Sequence, residues 1–206
     1  MALFTQENLR ARVRTQFAKG GINENTLQKA ERILNESVLE QRTFSATQKT
    51  YDIFLSHSSS DAAIVAGLKL ELEDLGYSVY VDWIEDPKLD RRKVTKETAR
   101  LLQQRMQSCK SLFYAFTENA SESKWMPWEL GYFDGIKQKA AVLPISNGIK
   151  EEFKGTEYVG IYYYITKEIN DQTKKDALWV NESKKIYVSY DRWINNNKQP
   201  FNHTTP

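Results

Sequence analysis

The sequence predicts an α/β protein: an open, mostly parallel sheet covered by helices on both faces and preceded by an N-terminal helical hairpin. Two observations carry this. Short apolar runs suited to buried strands alternate along the chain with segments whose apolar residues recur at helical spacing. The crossovers between runs hold too many residues for hairpins, so the strands pair in parallel through right-handed connections. At 206 residues and 40% hydrophobic, the chain can bury a core of ordinary size. It divides into a helical segment and linker (1–48), a main domain (49–196) and a flexible tail (197–206).

Residues 1–48 show no strand-like run. Leu9, Val13 and Phe17 keep helical spacing, as do Leu27, Ala30, Ile33, Leu34 and Val38, with Gly20 and Gly21 between the two sets. YDIFLS at 51–56 reads as a buried strand running into a loop of small polar residues, SHSSSD. Val65, Leu68, Leu72 and Leu75 give the next helix its inner face, and Gly76 is placed to close it in the left-handed conformation. A second strand covers 77–81. A polar loop leads to a helix over 94–108, with Thr98, Leu101, Leu102 and Met106 inside. Strands follow at 112–116, 140–145 and within 159–165, then edge pieces at 178–180 and 186–188 and a last helix capped by Ser189.

The net charge of +2 makes no electrostatic case for nucleic acid or an acidic membrane surface. Arg10, Arg12 and Arg14 read as a solvated helix face. The N-terminus has no apolar leader and no run reaches the length of a membrane span, so the expected setting is cytoplasmic. One cysteine, Cys109, excludes an internal disulfide and is placed at a helix end as a buried thiol, and two histidines, His57 and His203, leave metal chemistry little to stand on.

Residues 121–135, SESKWMPWELGYFDG, open a helix near Lys124 with Ser123 as N-cap and Pro127 in the first turn, where its missing N–H had no partner to lose. Met126, Leu130 and Phe133 form a stripe suited to packing on a sheet; Trp125 and Glu129, four apart with Tyr132 next, form a neighbouring face. Most helix glutamates are merely solvated. Flanking indoles set Glu129 apart, because large rings desolvate a carboxylate and offer a flat surface to an aromatic or cationic ligand.

In an open parallel sheet the ligand crevice forms outside the carboxyl ends of the strands. Three segments end there: Ser56, His57 and Ser58; Asp82 and Trp83; and the loop opening into Trp125 and Glu129. Hydroxyls, helix-start N–H groups, indoles and one acid suit a nucleotide. No G-x-G-x-x-G or P-loop is present, so hydride and phosphoryl transfer lose their main support.

Over about 51–194 the sequence resembles a Toll/interleukin-1 receptor (TIR) domain of the bacterial, NAD-consuming kind. The carriers are YDIFLSH at 51–57 with Ser60 and Asp61, YSVYVDW at 77–83, and Trp125-x-x-x-Glu129. The resemblance implies a flavodoxin-like fold of five parallel strands and an NAD+ glycohydrolase or cyclase, with NAD+ as substrate and no other cofactor. Glu129 would be the catalytic carboxylate and Trp125 would lie by the nicotinamide, with Ser56, His57, Ser58, Asp82 and Trp83 around ribose and phosphates. The product would be ADP-ribose or a cyclic isomer, in bacterial antiphage signalling. It also implies self-assembly with other TIR domains through the loop at 85–93, which is strongly charged here and lacks a glycine at its tip. A non-catalytic TIR adaptor is the alternative from another class, and a nucleoside deoxyribosyltransferase-like enzyme a third reading. His57 reads as a hydrogen-bonded loop histidine ahead of a proton shuttle.

Overall fold

Phe4–Thr5 forms a short strand, β1, that runs straight into helix α1 (Gln6–Ala18). The structure is a computed structural model and describes residues 2–18, 50–81, 95–155 and 157–203. The second helix of the expected N-terminal hairpin, and the linker after it, lie outside the described residues. Helix α1 is amphipathic as its spacing predicts, with Leu9 and Val13 fully buried. The Arg12 guanidinium makes two bonds to Asp74 Oδ2, at 2.8 and 3.0 Å, which ties α1 to the end of the helix after the next strand.

Eight further strands and four further helices follow among the described residues. They are β2 (Tyr51–Ser56), α2 (Ala62–Asp74), β3 (Val79–Tyr80), α3 (Lys96–Gln107), β4 (Cys109–Phe116), α4 (Met126–Lys137), β5 (Ala140–Ser146), β6 (Tyr164–Ile169), β7 (Asp176–Ser183), β8 (Ile186–Ser189), α5 (Tyr190–Asn195) and β9 (Phe201–Asn202). The sheet order is β3-β2-β4-β5-β6-β7-β8-β9, and β1 pairs in parallel with the end of β5. The five strands β3, β2, β4, β5 and β6 are parallel, and β7 to β9 extend the sheet antiparallel. Gly76 takes φ +92° after α2, the left-handed closure its position predicts.

Successive residues of the central strands face opposite sides of the sheet. Ile53, Leu55, Phe113, Ala115, Ala141 and Leu143 join Leu9, Val13 and the inner face of α2 in one apolar cluster. Phe54, Leu112 and Tyr114 join Leu102 and Met106 of α3 and Met126, Leu130 and Phe133 of α4 in another. The stripe predicted on α4 is therefore the face that packs.

Several boundaries differ from expectation. The fifth parallel strand begins at Tyr164, because Glu157–Ile161 forms a 3-10 turn in which Glu157 has φ 52°. Cys109 opens β4 and does not end a helix: α3 stops at Gln107, and the buried thiol donates to the Arg105 carbonyl. The edge pieces are longer than read, at 176–183 and 186–189, because each pairs with a full neighbour. Ser189 occupies the N-cap position of α5 but makes no side-chain capping bond. Within the segment read as a tail, Phe201–Asn202 pairs with Ile186 and Tyr187. No helix among the described residues is long and apolar enough to cross a membrane.

Candidate active site

The chain leaves β2 for β3 on one side and then crosses to β4 on the other, so the strand order reverses at β2. A crevice outside the carboxyl ends of β2 and β4 is the place where such a sheet holds a ligand. Ser56 ends β2, two residues of β4 lie beyond its partner Tyr114, and both side chains share the face covered by α4.

The loop after β2 is held by bonds at His57, Ser58 and Asp61. The His57 ring is 1% exposed, with Nδ1 2.8 Å from the Leu55 carbonyl. Ser58 caps the 3-10 turn Ser59–Asp61, its Oγ accepting from the Ser60 N–H. Asp61 is buried and accepts from Thr117 Oγ1 at 2.6 Å and Asn119 Nδ2 at 2.7 Å. The loops after β2 and β4, more than fifty residues apart in sequence, are thus laced through one carboxylate. Asp61 entered the sequence reading only as part of a motif, and Thr117 and Asn119 did not enter it, because nothing local marks a pairing across that separation.

Ser123 Oγ accepts the Met126 N–H at 3.3 Å, which is the capping bond its position predicts. Regular helix nevertheless begins two residues later than expected, at Met126, with Trp125 in the N-cap position and Pro127 in the first turn. Glu129 then falls in that first turn, where a negative charge meets the helix's positive end. The sequence placed Glu129 on a face separate from the packing stripe; the structure buries it completely. Ser56 Oγ donates to Glu129 Oε2 at 2.6 Å, within the range of a charge-assisted O–H···O bond. A buried carboxylate is tolerable only with such partners.

Trp125 is 7% exposed and meets Trp128 edge-to-face, with ring centroids 5.4 Å apart. Tyr132 stacks on Trp128, four residues before it, and not on Trp125. Next to Ser56 in the sheet, Tyr114 is buried, and its phenol is pushed well above the usual range by burial, by the Tyr158 hydroxyl and by the negative charge of Glu129. Tyr114 is therefore a neighbour of the acid, and Tyr158 a neighbour of Tyr114, that the spacing of the sequence did not reveal. Asp82, Trp83 and the loop at 85–93 lie outside the described residues.

Farther along the same edge a cleft of about 630 Å³ opens beyond β4 and β5, lined by Phe116, Ser121, Pro144, Lys150, Phe153 and Lys154 among others; Glu129 is not part of it. Among the described residues, no group of three or more His, Cys, Asp or Glu side chains is arranged to hold a metal ion.

Residues 53–175 match the TIR domain family. A Bacillus cereus (strain MSX-D12) protein named "Probable 3' cyclic ADP-D-ribose synthase ThsB'" is 55% identical over 150 residues, which cover 72% of this chain and 78% of that protein. A Cytobacillus dafuensis protein, provisionally named a cyclic ADP-D-ribose synthase (TIR2), is 33% identical over 86 residues, 41% of this chain but 23% of its own length.

Proposed function

Because the chain belongs to the TIR domain family, we propose that it is an NAD+-consuming enzyme, a cyclic ADP-ribose synthase with Glu129 as its catalytic carboxylate. One observation carries the assignment: a carboxylate fully buried in the first turn of α4, at the point where the strand order reverses, and held there by a hydroxyl of the adjoining strand. The activity named for the 55% identical relative supports it.

The chemistry suits a lone acid. When the bond from ribose C1 to the nicotinamide nitrogen breaks, its electron pair leaves with the nitrogen, and nicotinamide departs neutral without needing a proton. Positive charge is left on the ribose. A carboxylate beside the ring stabilises this oxocarbenium-like state, as in glycoside cleavage, and a few kcal/mol of such stabilisation is worth about two to three powers of ten in rate. Attack on C1 by a hydroxyl of the same molecule, with loss of its proton, gives a cyclic ADP-ribose; attack by water gives ADP-ribose. The 3′ designation of the Bacillus cereus relative favours a ribose hydroxyl as the nucleophile.

In this reading Trp125 lies by the nicotinamide, and His57, Ser58, Asp82 and Trp83 surround ribose and phosphates. The enzyme acts in the cytoplasm in bacterial antiphage signalling, and assembly with further TIR domains completes the pocket. The test is to incubate the full chain with NAD+, follow nicotinamide release and identify the products by mass. Wild type should yield a cyclic ADP-ribose, and Glu129→Ala should lose at least about a hundredfold in rate. Release of nicotinamide by Glu129→Ala at the wild-type rate would remove the assignment.

A further inference from the structure

We propose that Ser56 is a positioning residue for Glu129, acting through the carboxylate and not on the substrate. This rests on the reading of Glu129 as the catalytic carboxylate. The family resemblance implies a place for Ser56 around the ribose and phosphates; the geometry points elsewhere. Its hydroxyl proton is directed to Glu129 Oε2 at 2.6 Å. A hydroxyl has one proton to give, so a serine committed to the acid has none left for a phosphate oxygen.

The donor is also rigidly mounted. Ser56 is the last residue of β2, held in register against Tyr114 of β4, and the sheet around it is paired on both sides of β2. Glu129 reaches that donor from a different element, the first turn of α4, along a side chain with three rotatable bonds. A bond from a fixed strand end restricts that freedom. A carboxylate has about four lone-pair sites, so the bond to Oε2 orients the group without exhausting it. Holding a reacting group to a fraction of an ångström is a large catalytic effect: a displacement of about 1 Å costs on the order of a hundredfold.

The experiment measures initial rates of nicotinamide release by the full chain over a range of NAD+ concentrations, with thermal melting as a check on folding. Ser56→Ala should lower kcat by about 10- to 100-fold and change KM by less than about threefold, while melting stays cooperative. Ser56→Thr, which keeps the hydroxyl, should recover most of the loss if it melts as wild type does. In a Glu129→Asp background, whose carboxylate is withdrawn by one methylene from the serine, Ser56→Ala should change kcat by less than about twofold, because the two residues act as one unit. A rise in KM with kcat unchanged, or an equal fractional loss in both backgrounds, would overturn the proposal. If Glu129 variants are inactive while Ser56→Ala keeps full kcat, only the role of Ser56 falls; if Glu129→Ala itself is fully active, the assignment of the acid falls with it.

Discussion

Asp52 and Glu129 are carboxylates drawn out of water at opposite ends of the same strand system, and their partners differ in kind. Asp52 accepts from the Ser78 N–H at 2.9 Å, the Ser78 hydroxyl at 2.8 Å and the Lys110 ammonium at 2.8 Å. Burial alone would raise its pKa, but the Lys110 ammonium and the two Ser78 bonds outweigh burial and hold it below the usual carboxylate range. A carboxyl with a depressed folded-state pKa stabilises the fold at pH above its unfolded value, about 3.9, and that contribution is lost as pH falls through the lower folded value. Asp52→Asn should therefore lower the melting temperature at pH 6 to 7, and the gap from wild type should close as pH falls below about 4. A gap that persists unchanged at pH 3 would show that the loss is not electrostatic. The Trp125-x-x-x-Glu129 spacing was legible in the sequence as a helix face. The burial of Glu129 was not, since it depends on Ser56, a residue 73 positions away.

Among the elements, α1 and α2 cross at close range at Gly67, where an added Cβ would sit 2.1 Å from the Leu9 carbonyl oxygen. Alanine in a helix interior is favoured over glycine by about 0.8–1 kcal/mol, whereas overpacking against backbone costs about 1–3 kcal/mol, so overpacking wins. Gly67→Ala should be destabilising by chemical denaturation. Gly135→Ala, in α4 with nothing within 4 Å of the new methyl, should gain about 0.5–1 kcal/mol. A stabilised Gly67→Ala would mean that the crossing is looser than described. A second glycine contact explains the late start of β6. A Cβ on Gly155 would lie 2.7 Å from Gly160 Cα, so the segment around 160 turns tightly against 155 and does not run as a strand. The apolar residues of 158–161 mimic a strand in sequence, but only Val159 is buried, while Tyr158 and Ile161 stay exposed on the turn.

For the whole molecule, strand β1 and helix α1 belong to the main core. Phe4, Leu9 and Val13 are buried in the cluster that includes α2 and the inner face of the sheet, and β1 extends the pairing of β5. Three such side chains contribute about 5–9 kcal/mol together, comparable to the about 5–15 kcal/mol stability of an ordinary domain. A chain lacking residues 1–18 should therefore lose its cooperative thermal transition by circular dichroism. An unchanged transition would show that this helix is dispensable packing.

Strand–helix alternation, the order of the elements, the stripe on α4 and the Trp–Glu spacing were determined by the sequence alone. They follow from local periodicity and from capping and turn chemistry, which act within a few residues. The tertiary structure decided that α1 completes the core, that the loops after β2 and β4 are joined through Asp61, and that Glu129 is enclosed with Ser56 and Tyr114 beside it. These contacts join residues tens of positions apart, and only folding brings their side chains within the few ångströms at which hydrogen bonds and packing act.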